Sequence, residues 1–347
     1  MDDSQEQEIC VMRQEDFFDI ELFNLSVGYK QSQGAPLEIL KGLSFSAAHG
    51  EMVALIGSNG TGKSTLLRTI AGFQPWFAGD IRVGGRSIKL FDLREMARII
   101  SFVSTESIRI PNMTVFDLVA YGRFPYTNWI GSLTEADREV IDMAVRMVGI
   151  EKLSGRPVLQ ISDGERQRAM IARALAQDTP VIILDEPTAY LDVSNKYEIF
   201  HLLQTMASER NKTIILSTHD LNIALRETDK LWMITEGFNY QAAPEDAALK
   251  GWLDRLFKNE HIGFDTVEGG FFFKKRFRAK VKVTGEGIPM MWTLKALNRK
   301  GYQIVVKAEP DFTINVNNNF WEYSRGSVSE QFENIYQLIS YLDKYEC

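Results

Sequence analysis

The chain is poor in cysteine: two occur in 347 residues, Cys10 and Cys347, near opposite ends. Such a pair makes neither a disulfide framework nor a metal-ligand spacing, so a reducing compartment is the expectation. No run of 18 apolar residues is present, which excludes a membrane-spanning helix within this sequence. The N-terminus, MDDSQEQEIC, has neither the basic start nor the apolar stretch of a secretory signal. Internal repeats and low-complexity tracts are missing as well. With 45% hydrophobic and 24% charged residues, the chain reads as globular, neither disordered nor collagen-like. The net charge of −7 argues against bulk nucleic-acid binding. That charge is uneven: residues 1–21 hold eight acids and one base, whereas 241–347 hold 15 bases and 14 acids. The acidity belongs to a leader, and the body is close to neutral.

What is present begins with strand, turn, strand over 37–56, where Leu40, Leu43 and Phe45 precede His49-Gly50 and the apolar run Met52–Ile56. A helix is expected over Ser64–Ala71, and a hairpin turn at Gly84-Gly85. Residues 114–176 read as mainly helical. Thr134 to Asp137 form a capping box ahead of Val140, Met143, Ala144, Met147 and Val148. Two continuous apolar runs, Val181–Asp185 and Thr213–Ser217, have strand length. Strands apolar on both faces and alternating with helices predict a mostly parallel α/β sheet covered on both sides.

The last third differs. Residues 241–347 hold 17 of the 38 aromatic residues. Phe277–Val283 alternates like a half-exposed strand, and Met291, Leu294 and Leu297 suggest a helix. YQIVV and FTINV read as strands. Ser327 and Glu330 read as a capping box for a final helix striped by Val328, Phe332, Ile335, Ile339 and Leu342. A small α+β domain follows, with its boundary near Ala242–Pro244. The segment FFFKKRFRAKVKV interleaves six bases with aromatics. It reads as an edge strand with a solvated lysine face ahead of a surface for nucleic acid or lipid headgroups.

Chemistry concentrates in Gly57-Ser58-Asn59-Gly60-Thr61-Gly62-Lys63-Ser64-Thr65, which fits G-x-x-x-x-G-K-[ST] between a predicted strand and a predicted helix. Glycines let the backbone form a nest of N–H donors, and the helix start adds its dipole. Lys63 supplies a point charge for the β- and γ-phosphates and Ser64 a hydroxyl for Mg²⁺. Asp185-Glu186 ends a buried strand: the first carboxylate suits Mg²⁺, and the second suits accepting a proton from the attacking water. Ser162, 23 residues before Asp185, begins a helix with Gly164 and acids in its first turn.

Taken together these motifs resemble the ATP-binding subunit of an ABC transporter. GSNGTGKST resembles that family's Walker A, VIILDE its Walker B, ISDGE its LSGGQ signature, AYLD its D-loop with Asp192, and STHD its switch histidine, His219. Tyr29 in LSVGY resembles the aromatic that stacks on adenine. The resemblance covers about residues 22–240. It implies an ATPase cassette over 22–242 with a helical subdomain over about 106–165, flanked by the leader 1–21 and the accessory domain 243–347. It also implies ATP and Mg²⁺ as cofactors and a head-to-tail homodimer. Each nucleotide would lie between one copy's P-loop and the other's Ser162 and Gly164. Glu186 would polarise water and His219 would contact the γ-phosphate. Implied partners are separate transmembrane permease subunits and, indirectly, a substrate-binding protein, with no nucleic acid. The implied location is peripheral, on the cytoplasmic face of the plasma membrane.

One position departs from the family. Where a Q-loop glutamine is usual, counting back from Thr114-Val115 places Thr105, with Glu106 next to it. Thr105 is too short to reach Mg²⁺ as a glutamine does, and Glu106 is the alternative ligand. TVFDLVAYGRFP (Thr114–Pro125) resembles a segment of importers for iron–siderophore complexes, haem and cobalamin. A soluble ABC ATPase of the iron–sulfur assembly type and an exporter cassette are the other readings.

Overall fold

A computed structural model describes residues 18–29, 37–105, 110–128, 131–189, 191–235, 237–256, 261–275, 277–317 and 320–345. The chain divides into two compact units. The first takes residues up to Lys258 plus Phe264–Gly270, and the second takes Asn259–Gly263 and Phe271–Cys347.

The first unit is built on two sheets. Strands β1 (Phe18–Tyr29), β2 (Leu37–Ala48), β3 (Met52–Gly57), β4 (Trp76–Val83) and β5 (Arg86–Ser87) open the chain. Of these, β2, β1, β4 and β5 form an antiparallel sheet in that order. Then come β6 (Ile100–Val103), β7 (Val181–Leu184), β8 (Thr213–Ser217), β9 (Lys230–Thr235) and β10 (Phe238–Ala242). They join β3 in a six-stranded sheet ordered β10-β9-β3-β8-β7-β6, parallel except for β10. All four residues of β7 and all five of β8 are buried, as strands covered on both faces must be. Alternate residues serve two cores. Val53, Leu55, Ile183 and Ile215 pack with Ile20, Leu22, Leu25 and Phe45 of the antiparallel sheet. Met52, Ile182, Leu184, Ile214 and Leu216 pack with helices on the other face.

Except for the first, which follows a glycine, the helices up to Glu227 begin where short polar side chains satisfy their first N–H groups. Helix α1 (Lys63–Ile70) starts from the loop after β3, and α2 (Leu93–Ile99) from Asp92. Capping boxes open α3 (Val115–Ala120) at Thr114/Asp117, α4 (Glu135–Met147) at Thr134/Asp137 and α5 (Asp163–Ala176) at Ser162/Glu165. Asp192 and Asp220 cap α6 (Val193–Arg210) and α7 (Leu221–Glu227). The buried stripe of α4 is rotated from the expected one. Ile141, Ala144 and Val145 face the core and Met143 is exposed.

Two boundaries move. Strand β1 begins at Phe18, inside the expected leader, and Asp19 is buried. Asp19 Oδ2 accepts from the Thr213 hydroxyl (2.5 Å) and lies 3.0 Å from His49 Nδ1, so its charge serves the cassette. At the other end, the first unit runs past Pro244 through α8 (Pro244–Leu249) and a 3₁₀ turn at Leu253–Leu256. Ala247, Leu253 and Leu256 are buried there, and Trp252 stacks on Tyr240 at 4.2 Å and 14°. The change in composition marks where the motifs stop, and packing continues beyond it.

After the short strands β11 (Ile262–Asp265) and β12 (Gly270–Phe273), the second unit forms one sheet ordered β14-β13-β15-β16-β17. The strands are β13 (Lys280–Thr284), β14 (Gln303–Ile304), β15 (Phe312–Val316), β16 (Trp321–Arg325) and β17 (Val328–Phe332). Helices α9 (Gly287–Lys300) and α10 (Ile335–Tyr345) cover one face. Val281, Phe312, Ile314, Trp321 and Tyr323 point into that core with Leu297, Leu338, Ile339 and Leu342. Two expectations fail here. The Ser327/Glu330 pair does not start a helix: Val328–Phe332 is strand β17, and Asn334 caps α10 by accepting from the Gln337 N–H (2.9 Å). Hairpin pairing with β16 outweighs the local capping signal. The strand expected over Phe277–Val283 begins only at Lys280 and is interior, between β14 and β15.

Candidate functional site

The site is assembled at the C-terminal ends of β3, β7 and β8, where parallel strands hand over to loops and helix starts. After β3 the chain turns at Gly60 (φ 77°) and Gly62 (φ 96°), conformations that only glycine adopts without strain. Gly57 has a second reason: a Cβ there would stand 2.3 Å from the Ile234 carbonyl oxygen. The loop delivers Lys63 to the start of α1, 5% exposed, with its ammonium donating to the carbonyls of Gly57 (2.9 Å) and Ser58 (3.0 Å). Burial pushes the Lys63 pKa down, and the neighbouring Glu186 and Asp185 carboxylates oppose that shift.

Ser64, the next residue, donates its hydroxyl to Asp185 Oδ1 (3.0 Å). The same carboxylate oxygen accepts from the Ser217 hydroxyl (2.8 Å), and Ser217 Oγ in turn accepts from the Glu186 N–H (2.9 Å). Asp185 is 1% exposed, and its own N–H donates to the Val103 carbonyl (2.8 Å). Glu186 sits at φ 50°, a left-handed conformation costly for a non-glycine residue. Its Oε1 lies 2.6 Å from His219 Nε2. Five residues from three strand ends, Ser64, Asp185, Glu186, Ser217 and His219, are therefore joined in one polar network. Ser217 was not singled out by sequence reasoning, although it stands two residues before His219. A cavity of about 300 Å³ opens beside this network, lined by Gly57, Ser58, Asn59, Thr218, His219 and Leu256 among others.

Tyr29 ends β1, is 46% exposed, and shares a hydrogen bond between its hydroxyl and Thr65 Oγ1 (2.9 Å). Thr61 folds onto the loop, donating its hydroxyl to the Ser58 carbonyl (2.9 Å). Thr105 is exposed in the bend after β6, whose neighbour β7 leads to Asp185. Glu106 lies outside the described residues.

Ser162, Gly164 and Asp192 form a second cluster, at the starts of α5 and α6. Glu165 closes the capping box by accepting from the Ser162 N–H (2.8 Å) and hydroxyl (2.9 Å), and these bonds hold its carboxyl below the usual range. A Cβ on Gly164 would stand 3.2 Å from Leu191 Cδ2. Asp192 accepts from both the Asn195 N–H (2.8 Å) and side-chain amide (3.0 Å), and Arg168 braces Asn195 (2.8 Å).

Residues 40–189 match the ABC transporter family, and residues 278–343 match the iron ABC transporter C-terminal domain. An ABC transporter ATP-binding protein of Methanocaldococcus jannaschii is 37% identical over 289 residues, 82% of this chain and 97% of that protein. The chain belongs to the ABC transporter ATP-binding proteins. Its cassette is an ATPase. A petrobactin import ATP-binding protein of Bacillus anthracis is 36% identical, over 67% of this chain and 85% of that protein. Among solved structures, an inward-facing metal-chelate type ABC transporter matches at 26% identity and a TM-score of 0.60, over 71% of this chain and 90% of that one. A dimeric bacterial ABC transporter cassette matches at 27% identity and a TM-score of 0.58, over 65% and 98%. The match over 278–343 gives the second unit a family that sequence motifs did not reveal.

Within an ABC cassette the network has a clear division of chemistry. Lys63 and the N-terminus of α1 concentrate positive charge at the loop. Ser64 and Asp185 supply hard oxygen atoms, and Glu186 supplies a carboxylate held beside His219, with its backbone N–H fixed by Ser217.

Proposed function

We propose that this chain is the ATP-hydrolysing subunit of an importer that takes up a metal chelate of the iron–siderophore, haem or cobalamin kind. The observation that carries the reading is the joined network from Ser64 through Asp185, Ser217 and Glu186 to His219, on a chain whose relatives include import ATP-binding proteins. The name of the domain matched by 278–343 and that of the metal-chelate structural relative favour iron chelates.

Tyr29 offers an exposed ring for the adenine, and the loop from Ser58 to Thr65 wraps the phosphates around Lys63. Ser64 and Asp185 fit Mg²⁺: both are hard oxygen donors, and Asp185 has a second oxygen besides the one tied to the two hydroxyls. Ser64 and Asp185 would hold the ion, which would supply positive charge against the phosphates. Glu186 accepts the proton of the attacking water through its carboxylate, and His219 holds that carboxylate and faces the γ-phosphate side of the cavity. Ser162, Gly164 and Asp192 of a second copy complete the phosphate shell, so that nucleotide binding draws two cassettes together and hydrolysis releases them.

The transport partner is a separate membrane chain. An apolar cleft of about 480 Å³ beyond the Thr105 bend, lined by Ile110, Met113, Phe116, Tyr121, Phe124 and Leu133, suits an amphipathic segment of such a chain. Among the described residues no helix is long and apolar enough to cross a membrane. The test is uptake in a strain lacking this chain, supplied with labelled iron–siderophore, haem or cobalamin. Loss of uptake of one of these, restored by the wild-type chain and not by Glu186→Gln, is the expected result. Unchanged uptake of all three, with the chain recovered free of any polytopic membrane protein, would sink the importer reading.

A further inference from the structure

The second unit leaves an apolar stripe uncovered on its helical layer. Ile288, Met291 and Trp292 are 70, 55 and 60% exposed on α9, at the i, i+3, i+4 spacing of one helical face. Lys295 continues that face and lies over the Trp292 ring at 5.5 Å. The opposite side of this helix, through Thr293, Ala296 and Leu297, is already spent on the core of the unit.

Topology fixes the direction of the two helices. Strands β13, β14 and β15 are parallel, and β17 runs with them because β16 is antiparallel to both its neighbours. Each helix follows one of these strands and runs back against it, so α9 and α10 point the same way. The ion pairs agree: Asp343 near the end of α10 binds Lys300 at the end of α9, and also Arg278 at 3.1 Å. Exposed Tyr336, in the first turn of α10, therefore lies at the same end of the layer as Ile288.

Charge is sorted along this layer. Exposed Glu286 and Glu333 stand at the N-terminal ends of the two helices. Exposed Lys295, Arg299 and Lys344 stand toward the C-terminal ends, where Lys275 also donates to the Arg299 carbonyl. Acid at one end, base at the other and apolar side chains between them make a surface complementary to itself when turned by 180°. The open face of the sheet has no such pattern: Lys282, Thr284, Thr313, Asn315 and Ser324 make it polar throughout.

We infer that the exposed face of α9 binds the same face of a second copy of this chain. The pairing is isologous and antiparallel, with Met291 and Trp292 near the two-fold axis and Glu286 of each copy near Arg299 of the other. Antiparallel helices also align their dipoles favourably. A closed two-fold contact needs a self-complementary patch, and this face is one. Three apolar side chains and Tyr336 offer roughly 400–500 Å² per copy, less than the ~800 Å² of a stable stand-alone interface. The contact is thus weak alone. It gains from tethering: once the cassettes pair, the second units meet at high effective concentration. The inference rests on the cassette pairing proposed above and adds a contact that persists without nucleotide.

The experiment uses the full chain with Cys10 and Cys347 replaced by serine. Without nucleotide, Met291→Cys is expected to form a covalent dimer with a short bis-maleimide linker, whereas Ser329→Cys, on the open sheet face, is not. Sedimentation of the nucleotide-free chain should show self-association weakened about tenfold or more by Trp292→Glu. Glu286→Arg should weaken it too, and Arg299→Glu in the same chain should restore it. The inference is overturned by equal linking at both cysteines, by sedimentation unmoved by Trp292→Glu, or by failure of the charge reversal to rescue. Binding of the face to phosphatidylglycerol vesicles without a dimer would also overturn it and assign the face to lipid. ATP-dependent dimerisation of the Trp292→Glu chain is scored separately: its loss in both this variant and wild type would strike the cassette reading instead.

Discussion

Ser217→Ala is the most informative perturbation of the site, because one hydroxyl bonds both the Asp185 carboxylate and the backbone of Glu186. The Ser217 O–H donates to Asp185 Oδ1 at 2.8 Å and its oxygen accepts from the Glu186 N–H at 2.9 Å. Ser217 and Asp185 are 0% and 1% exposed, so water cannot replace either bond without opening the core. A hydrogen bond to a charged group contributes about 1.5–3 kcal/mol, and a buried donor left unpaired costs about 1–3 kcal/mol. Ser64 still donates to Asp185, which limits the first loss. A destabilisation of about 2–4 kcal/mol follows. The catalytic effect has a separate origin. Glu186 holds φ 50° against its own preference, and the bond to Ser217 is one of the restraints that keep it there. Without it the carboxylate drifts from its position beside His219, and a displacement of the order of 1 Å costs about 10²-fold in rate. The assay pairs thermal unfolding with steady-state ATP hydrolysis and nucleotide affinity. The expected outcome is a lowered Tm, a kcat reduced about 10²-fold and little change in ATP affinity, since Lys63, the loop glycines and Tyr29 are untouched. A variant with wild-type Tm and wild-type kcat would refute the reasoning.

Other outcomes follow from the same geometry. Glu186→Gln keeps the shape of the site and removes the base, so it should bind ATP and accumulate as a dimer on size exclusion while turnover falls at least about 10²-fold; normal turnover would reject Glu186 as the base. Thr105→Gln restores the length of the family's usual side chain and should leave ATPase activity intact or raise it; a collapse of activity would mean that Thr105 does not hold the Q-loop position. Glu165→Gln keeps the reach of the capping box and removes a negative charge from the surface offered to a partner's phosphate, so the KM for ATP should fall about twofold to fivefold. Asp137 is held below the usual carboxylate range first by the Thr134 hydroxyl, then by the Thr134 N–H and Arg123. Its contribution is full above about pH 4 and is lost as the pH falls through its depressed value. The Tm of Asp137→Asn should therefore lie below that of wild type at neutral pH, with the gap closing in acid.

Local chemistry made much of the cassette legible. Short apolar runs such as VIIL can be covered only from both sides, which implies a parallel sheet. Glycines at 60 and 62 and the lysine after them fit the pattern of a phosphate loop, because few sequences tolerate that backbone. Caps at Thr134 and Ser162 satisfy helix starts within four residues. All of these signals are complete within a few neighbours along the chain.

Three features needed the tertiary structure, each because a distant partner decides it. Asp19 reads as one more acid of a charged leader until Thr213, 194 residues away, donates to it in the core. Val328–Phe332 carries a helix-start signal, yet pairing with β16 makes it a strand. Ser217 is an unremarkable strand residue until β7 and β8 lie side by side and bring it between Asp185 and Glu186. The amino-acid order by itself determined the loop glycines, the lysine that follows them and the helix caps, since those signals are written in adjacent residues. Only the folded chain decided which carboxylates are held, by what, and which helix face of the second unit stays open, since burial and hydrogen bonding are properties of neighbours in space.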